Sequence, residues 1–304
     1  MSPNSGVTYL EKPMLLPSIH PDAPPSADIH GLAFGAGVQS TALLLLVANK
    51  DHRLLEAMEG VLPSVAIFAD PGAEEEATYE HVARCRGYAR LRGVELVTVR
   101  STRKKGLLDA LQTGKRFSTI PAFTKSKTGS KGMLRRCCTA DYKISPIATE
   151  LRRRIGKQRI LHTKHRVDIW LGISTDEIQR MKPELHIKWQ TRQFPLIEMG
   201  WSRDDCHAYL EAKGWGDVPK SACVFCPYAS DKRWARLKAL GGDDWQRVLD
   251  AEAGLKDAWE SGRGSLRDEP FLHTSLEPID SIDFGPAPSD DDTLGNECDG
   301  YCGL

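Results

Sequence analysis

Eight cysteines in a chain of 304 residues are the side chains whose type and spacing first point to chemistry. Cys223-Val224-Phe225-Cys226-Pro227 brings two thiolates within reach of one metal centre. Cys137-Cys138 stands well upstream in a basic setting, and Cys298 and Cys302 lie close to the last residue. A four-thiolate centre is either zinc or an iron–sulfur cluster. An adjacent pair is an unusual zinc spacing, so an iron–sulfur centre is the first expectation, zinc the second and a redox disulfide the third. Cys137, Cys138, Cys223 and Cys226 are the expected ligands, with Cys298 or Cys302 as an alternative. Cys85 and Cys206 fall on predicted helices and read as packing residues. None of the nine histidines forms a pair with ligand spacing.

A second constellation is Ala33-Phe34-Gly35-Ala36-Gly37-Val38-Gln39-Ser40-Thr41, followed by Ala42-Leu43-Leu44-Leu45-Leu46-Val47-Ala48. It reads as strand, glycine-rich turn and first turn of a helix. Backbone amides at a helix start converge on one spot, and the dipole favours an anion there. Gly35 and Gly37 would let the backbone approach a phosphate, and Ser40 and Thr41 would add hydroxyl donors. Asp70 closes the next apolar run, where a carboxylate can hydrogen-bond a ribose hydroxyl. Its alternative role is a helix-initiating turn, Asp70-Pro71-Gly72. Pairing with the glycine turn favours a nucleotide.

These residues need elements to position them. Residues 29–34, 64–69, 94–99 and 167–173 are apolar runs of strand length, and 193–197 reads as a last strand. Helices are predicted over 41–49, 74–91, 144–155, 202–213, 231–240 and 243–260. The acidic first turn at Glu74 suits the dipole. Ser202, with Asp205 three residues on, reads as a capping-box variant. Strands alternating with helices imply parallel pairing through right-handed crossovers, hence an α/β fold with a doubly wound, mostly parallel sheet and a Cys-rich C-terminal extension. Residues 1–28 carry six prolines and no clear period, and read as a flexible arm. Residues 29–215 form the expected nucleotide-binding domain, and 216–304 a helical extension with a tail. Residues 100–136 break the rhythm with Arg103-Lys104-Lys105, a Lys125–Lys131 run and Arg135-Arg136. They read as a long basic loop over the sheet's edge, of a length more often functional than idle.

Forty-one basic residues balance forty-one acidic ones, so no global field draws the chain to nucleic acid or membrane. The longest apolar run, from Ala42 to Ala48, is far too short for a bilayer, and the N-terminus shows no signal-peptide pattern. The expectation is a cytoplasmic protein with reduced thiols.

The order of motifs resembles the phosphoadenosine phosphosulfate reductase and adenylyl-sulfate reductase family, relatives of the PP-loop ATP pyrophosphatases with the adenine nucleotide alpha hydrolase-like fold. Residues 33–41 are similar to the family's modified phosphate loop. Asp70-Pro71-Gly72-Ala73-Glu74-Glu75-Glu76-Ala77-Thr78-Tyr79 resembles its Asp-Thr-Gly…Glu-Thr segment. Pro195-Leu196 through Trp201, with Asp205 and Tyr209, resembles its Pro-Leu…Trp…Asp…Tyr block. The resemblance implies a [4Fe–4S] cluster on the two cysteine pairs. It implies adenylyl sulfate or its 3′-phosphate over Gly35, Gly37, Gln39, Ser40 and Thr41, with Asp70 and Gly72 near the ribose. Arg135, Arg136, Lys143 and Arg180 would meet the phosphate and sulfate. Cys302, in a Cys-Gly-Leu segment like the family's tail, would attack sulfur, and a thioredoxin-like dithiol would complete the turnover. The family's tail carries a histidine after that segment, which this sequence lacks. Gln39 stands where ATP-cleaving relatives carry an aspartate. An ATP- and Mg-dependent sulfurtransferase acting on DNA or tRNA, with Arg152-Arg153-Arg154 on phosphates, is the alternative; a non-catalytic nucleotide-binding iron–sulfur sensor is a third.

Overall fold

The computed structural model describes residues 27–101, 106–113, 120–156, 166–182, 187, 189–262 and 266–286. In chain order the elements begin β1 (Ile29–Ala33), α1 (Val38–Ala48), α2 (His52–Ala57), β2 (Val65–Ala69), α3 (Glu76–Arg90) and β3 (Glu95–Val99). Next come α4 (Leu107–Thr113), β4 (Phe123–Lys125), β5 (Lys131–Met133), a π-helical turn Ala140–Ile144 that runs into α5 (Ser145–Arg154), and β6 (Val167–Leu171). A 3-10 turn Thr175–Arg180, β7 (Gln190–Gln193), α6 (Pro195–Glu198), α7 (Arg203–Ala212), α8 (Asp231–Leu240), α9 (Gly242–Glu260) and β8 (Glu269–Phe271) follow.

The main sheet has the order β3-β2-β1-β6-β7, and all its pairings are parallel. Period two in each strand divides the apolar side chains between its faces. Leu32, Phe34, Ala66, Phe68 and Trp170 pack on one side with Leu43 to Val47 of α1, Cys85 of α3 and Leu210 of α7. Ala33, Val65, Ile67, Ala69, Ile169 and Leu171 pack on the other with Ile147 and Leu151 of α5. Helices cover both faces, so the sheet is doubly wound. Every residue of α1 is buried, which explains a helix that is apolar all round and has no polar stripe.

Two expectations need correction. The predicted strand over 193–197 ends at Gln193, and Pro195 begins α6 instead. Pro195 has no amide hydrogen to give a ladder, and its fixed φ suits the first helical position. The basic stretch 100–136 is also not one loop. It contains α4 and the β4–β5 hairpin, which pairs with distant β8 in a three-stranded antiparallel sheet, order β5-β4-β8. Arg103, Lys104 and Lys105, the arm up to residue 26, Cys298 and Cys302 lie outside the described residues.

A second core sits under this small sheet. Ala73, Leu107, Leu111, Ile120, Ala122 and Tyr142 interleave there with Val224, Phe225, Trp234, Val248, Leu255 and Leu272. It thus takes residues from both sides of position 215. No helix among the described residues is long and apolar enough to cross a membrane.

Candidate functional site

The glycine turn joins β1 to α1, with Gly37 as N-cap. The left-handed residue in it is Ala36, at φ 62°, and not a glycine. A β-carbon held there costs about 1–2 kcal/mol, so the surrounding packing must impose it. Ala36 is indeed fully buried. Ser40 Oγ accepts from Gly37 N–H at 3.1 Å and lies 3.1 Å from the Gly37 carbonyl, which caps the helix from within. Gln39 is buried, and its Nε2 donates to Ser174 Oγ at 3.4 Å. Gly172, just beyond β6, presses against this helix start: a Cβ on it would stand 2.9 Å from Ser40 N. Gly37, Gln39, Ser40, Gly172 and Ile173 line a small hollow between the two segments.

Thr41 faces inward. Its hydroxyl meets His81 Nε2 at 2.9 Å, and Cys85 Sγ lies 3.4 Å from the same nitrogen. Burial, helped by Arg84, pushes the His81 imidazole down to about 4, and burial pushes the Cys85 thiol up to about 12. Thr41, expected as a phosphate donor, instead fastens α1 to α3.

Asp70 follows β2 and is buried, with partners on both oxygens. Gly72 N–H and Tyr79 O–H donate to Oδ1 at 2.7 and 2.9 Å, and Arg100 approaches Oδ2 at 2.6 and 2.7 Å. This carboxylate organises the turn into α3, the alternative role above, and Arg100 covers its outer side. Burial, with Asp70 next, pushes the Tyr79 hydroxyl pKa upward. Gly72 takes φ +71°, and a Cβ there would sit 3.2 Å from Gly106 Cα.

Two acids at the entrance to α3 carry the connection to the cysteines. Glu74 is fully buried, with Lys143 Nζ at 3.2 Å and Ser221 Oγ at 3.4 Å. Its backbone forms an antiparallel bridge with Cys223. Glu75 receives Arg233 and Arg236 at 2.6 and 2.5 Å. Burial alone would raise its carboxyl, but the two guanidiniums outweigh that and hold it below the ordinary carboxylate range. From sequence, Glu74-Glu75-Glu76 read as an acidic first helical turn within the family-like segment, and nothing there singles out Arg233 as a partner. Charged residues default to solvent, and nothing local marks these as buried.

Cys138, Cys223 and Cys226 line one cavity with Arg136, Thr139, Tyr142 and Lys143. Cys137 is not among the lining residues of that cavity, and Arg135 is exposed. Burial, and then Glu74, push the Cys223 thiol well above its usual value, while Lys143 pulls the other way. Arg136 stacks its guanidinium 5.3 Å from the Tyr228 ring centroid. Arg180 pairs with Glu177 at 2.8 Å on its 3-10 turn. Among the described residues no three His, Cys, Asp or Glu side chains stand close enough to hold a metal ion as they are. The donor set nevertheless fits a thiolate-held cluster: three thiols and two cations share one cavity, and the cations suit an anionic group. Lys143 also lines a second hollow with Phe34, Gly35 and Phe68 beside the glycine turn. Lys143 therefore stands in the wall of both, with its ammonium on Glu74.

No protein-family model matches the chain, and no curated protein matches it significantly. Among solved structures it is similar to the crystal structure of phosphoadenylyl-sulfate (PAPS) reductase from Candida auris in a phosphate complex. That similarity has 14% sequence identity and a TM-score of 0.38, over 62% of this chain and 73% of that one.

Proposed function

We propose that the chain is a nucleotide-binding enzyme of the sulfonucleotide reductase type, with thiol-dependent sulfur chemistry between the glycine turn and the cysteine cavity. The observation that carries this reading is Lys143, a buried cation in the wall of both hollows. A phosphate at the start of α1 and a sulfate reaching toward the cysteines would share its charge. Cys138, Cys223 and Cys226 would hold a [4Fe–4S] cluster, with Cys137 or Cys298 as fourth ligand and Cys302 left free to react. Such a cluster supplies a centre whose potential is set by hydrogen bonds to its sulfurs and by solvent exposure. The thiolate of Cys302 would attack the sulfur of adenylyl sulfate or its 3′-phosphate. A sulfur–sulfur bond forms, the bond from sulfur to the phosphate-bridging oxygen breaks, and the nucleoside phosphate leaves with that electron pair. A thioredoxin-type dithiol then attacks Cys302 Sγ, releases sulfite and is oxidised to its disulfide.

The test is anaerobic purification, then incubation with adenylyl sulfate, its 3′-phosphate and ATP in parallel. Sulfite from either sulfonucleotide, in protein holding about four irons, is the expected result. Zinc in place of iron removes the cluster, and no sulfite from either nucleotide removes the reaction. A second reading, ATP-dependent sulfur insertion into a nucleic acid, is favoured by the β4–β5 hairpin. Its tip exposes Lys125 and Lys127 on the chain leading to Arg135 and Arg136. Pyrophosphate release from ATP that depends on added DNA or RNA would select it.

A further inference from the structure

Arg233 exposes only 1% of its surface, although it lies on a short helix with solvent close by. A buried guanidinium is tolerated only where its donors find acceptors. Nε and Nη2 reach Glu75 Oε1 at 3.0 and 2.6 Å. Nη2 also donates to the carbonyl oxygens of Ala222 and Cys223, at 3.0 and 3.1 Å. The same strip of chain is held from its other side, by the Cys223 bridge to Glu74 and by Val224 N–H on the Ala73 carbonyl at 2.8 Å.

The geometry points to Arg233 as a positioning residue: with Glu75 it clamps the two carbonyls at Ala222 and Cys223, and so fixes the backbone that presents Cys223 to its cavity. The assignment rests on the reading above only in making that cavity the reacting site. A buried ion pair replaced by apolar residues of similar volume is often neutral or more stable. A planar fork that spans one carboxylate and two successive peptide oxygens does something apolar residues cannot, which is to set the orientation of those peptides. It also ties the cysteine segment to the start of α3, one residue from Glu74 and five from the Asp70 turn.

The distinction can be measured in the full chain. Arg233→Met alone leaves Glu75 short of a partner, and its melting temperature falls. Adding Glu75→Leu removes the buried charge, and melting returns to near the wild-type value. Amide hydrogen exchange over residues 220–227 is then compared with that over residues 38–48. Loss of the hydrogen bonds from a charged donor should speed exchange in the first segment by about ten- to a hundredfold. The second segment stays as in wild type. Wild-type exchange over 220–227 in the restored double variant would make Arg233 a core filler and overturn the assignment. If the double variant does not fold, Arg233→Lys keeps the charge beside Glu75 but lacks the fork. Faster exchange over 220–227 is expected there as well, and wild-type exchange overturns the assignment. The readout involves no turnover, so a chain inactive on every nucleotide would sink the proposed reaction and leave this test intact.

Discussion

His81 shows how a single residue ties the glycine turn to solution conditions. Its imidazole is pushed down to about 4, chiefly by burial and then by Arg84, so it is neutral in the folded chain near neutral pH. The folded value lies below the unfolded one, so the unfolded chain takes up the proton first as pH falls. Stability present above about pH 6.5 is therefore lost progressively toward pH 4. At pH 5 the loss should be about 2 kcal/mol relative to pH 7 from this group. Urea melts at the two pH values would read it against His81→Gln, which keeps a partner for Thr41 but does not titrate. An equal pH dependence in both proteins would show that the imidazole is not the cause. Thr41 appeared in the sequence as a hydroxyl beside a phosphate loop, and its inward turn was not legible. Its partner is forty residues away and became visible only when α1 and α3 were packed together.

At the scale of elements, the approach of the segment after β6 to the start of α1 decides the shape of the hollow at the turn. Gly172→Ala would place a methyl 2.9 Å from Ser40 N and 3.1 Å from Ser40 Cα, both backbone atoms that cannot rotate away. The variant should melt at a lower temperature, by the equivalent of about 1–3 kcal/mol, and bind adenine nucleotides more weakly. Calorimetry with unchanged affinity in a folded variant would take Gly172 out of the site. The strands around this contact were readable from sequence because each is an apolar run of five residues or so, and the start of α7 because its cap is local. Ser202 and Asp205 form that cap: Ser202 Oγ accepts from Asp205 N–H at 3.2 Å, and Asp205 Oδ2 from Ser202 N–H at 2.8 Å. Strands β4, β5 and β8 were not readable. Each has only three residues, too few to show a period, and β8 meets β4 across a gap of well over a hundred residues. The glycine turn and Cys223-x-x-Cys226 could be picked out as candidates because their spacing is local. The Glu75–Arg233 clamp between them could not, since its parts are far apart in sequence and ordinary in type.

At the scale of the whole molecule, the sheet and the second core are not separable by cutting the chain at one place. A fragment of residues 27–215 keeps the sheet and its helices but strips Ala73, Leu107, Leu111, Ile120 and Tyr142 of their partners beyond residue 223. It should aggregate or melt without a cooperative transition, read by light scattering and circular dichroism; a soluble fragment with a sharp melt would show that the sheet folds alone. The same interleaving gives a timing to the chain's birth. The residues of the sheet-and-α7 core are complete once Trp215 and the nearby Val218 are made. The apolar patch around Leu107 and Ile120 stays open until Ile279 emerges, an interval of roughly 3–13 s at ordinary elongation rates. For those seconds the nascent chain shows neighbouring ribosomes a greasy surface that the finished protein never exposes, so its yield in a cell should depend on what shelters that surface while translation continues.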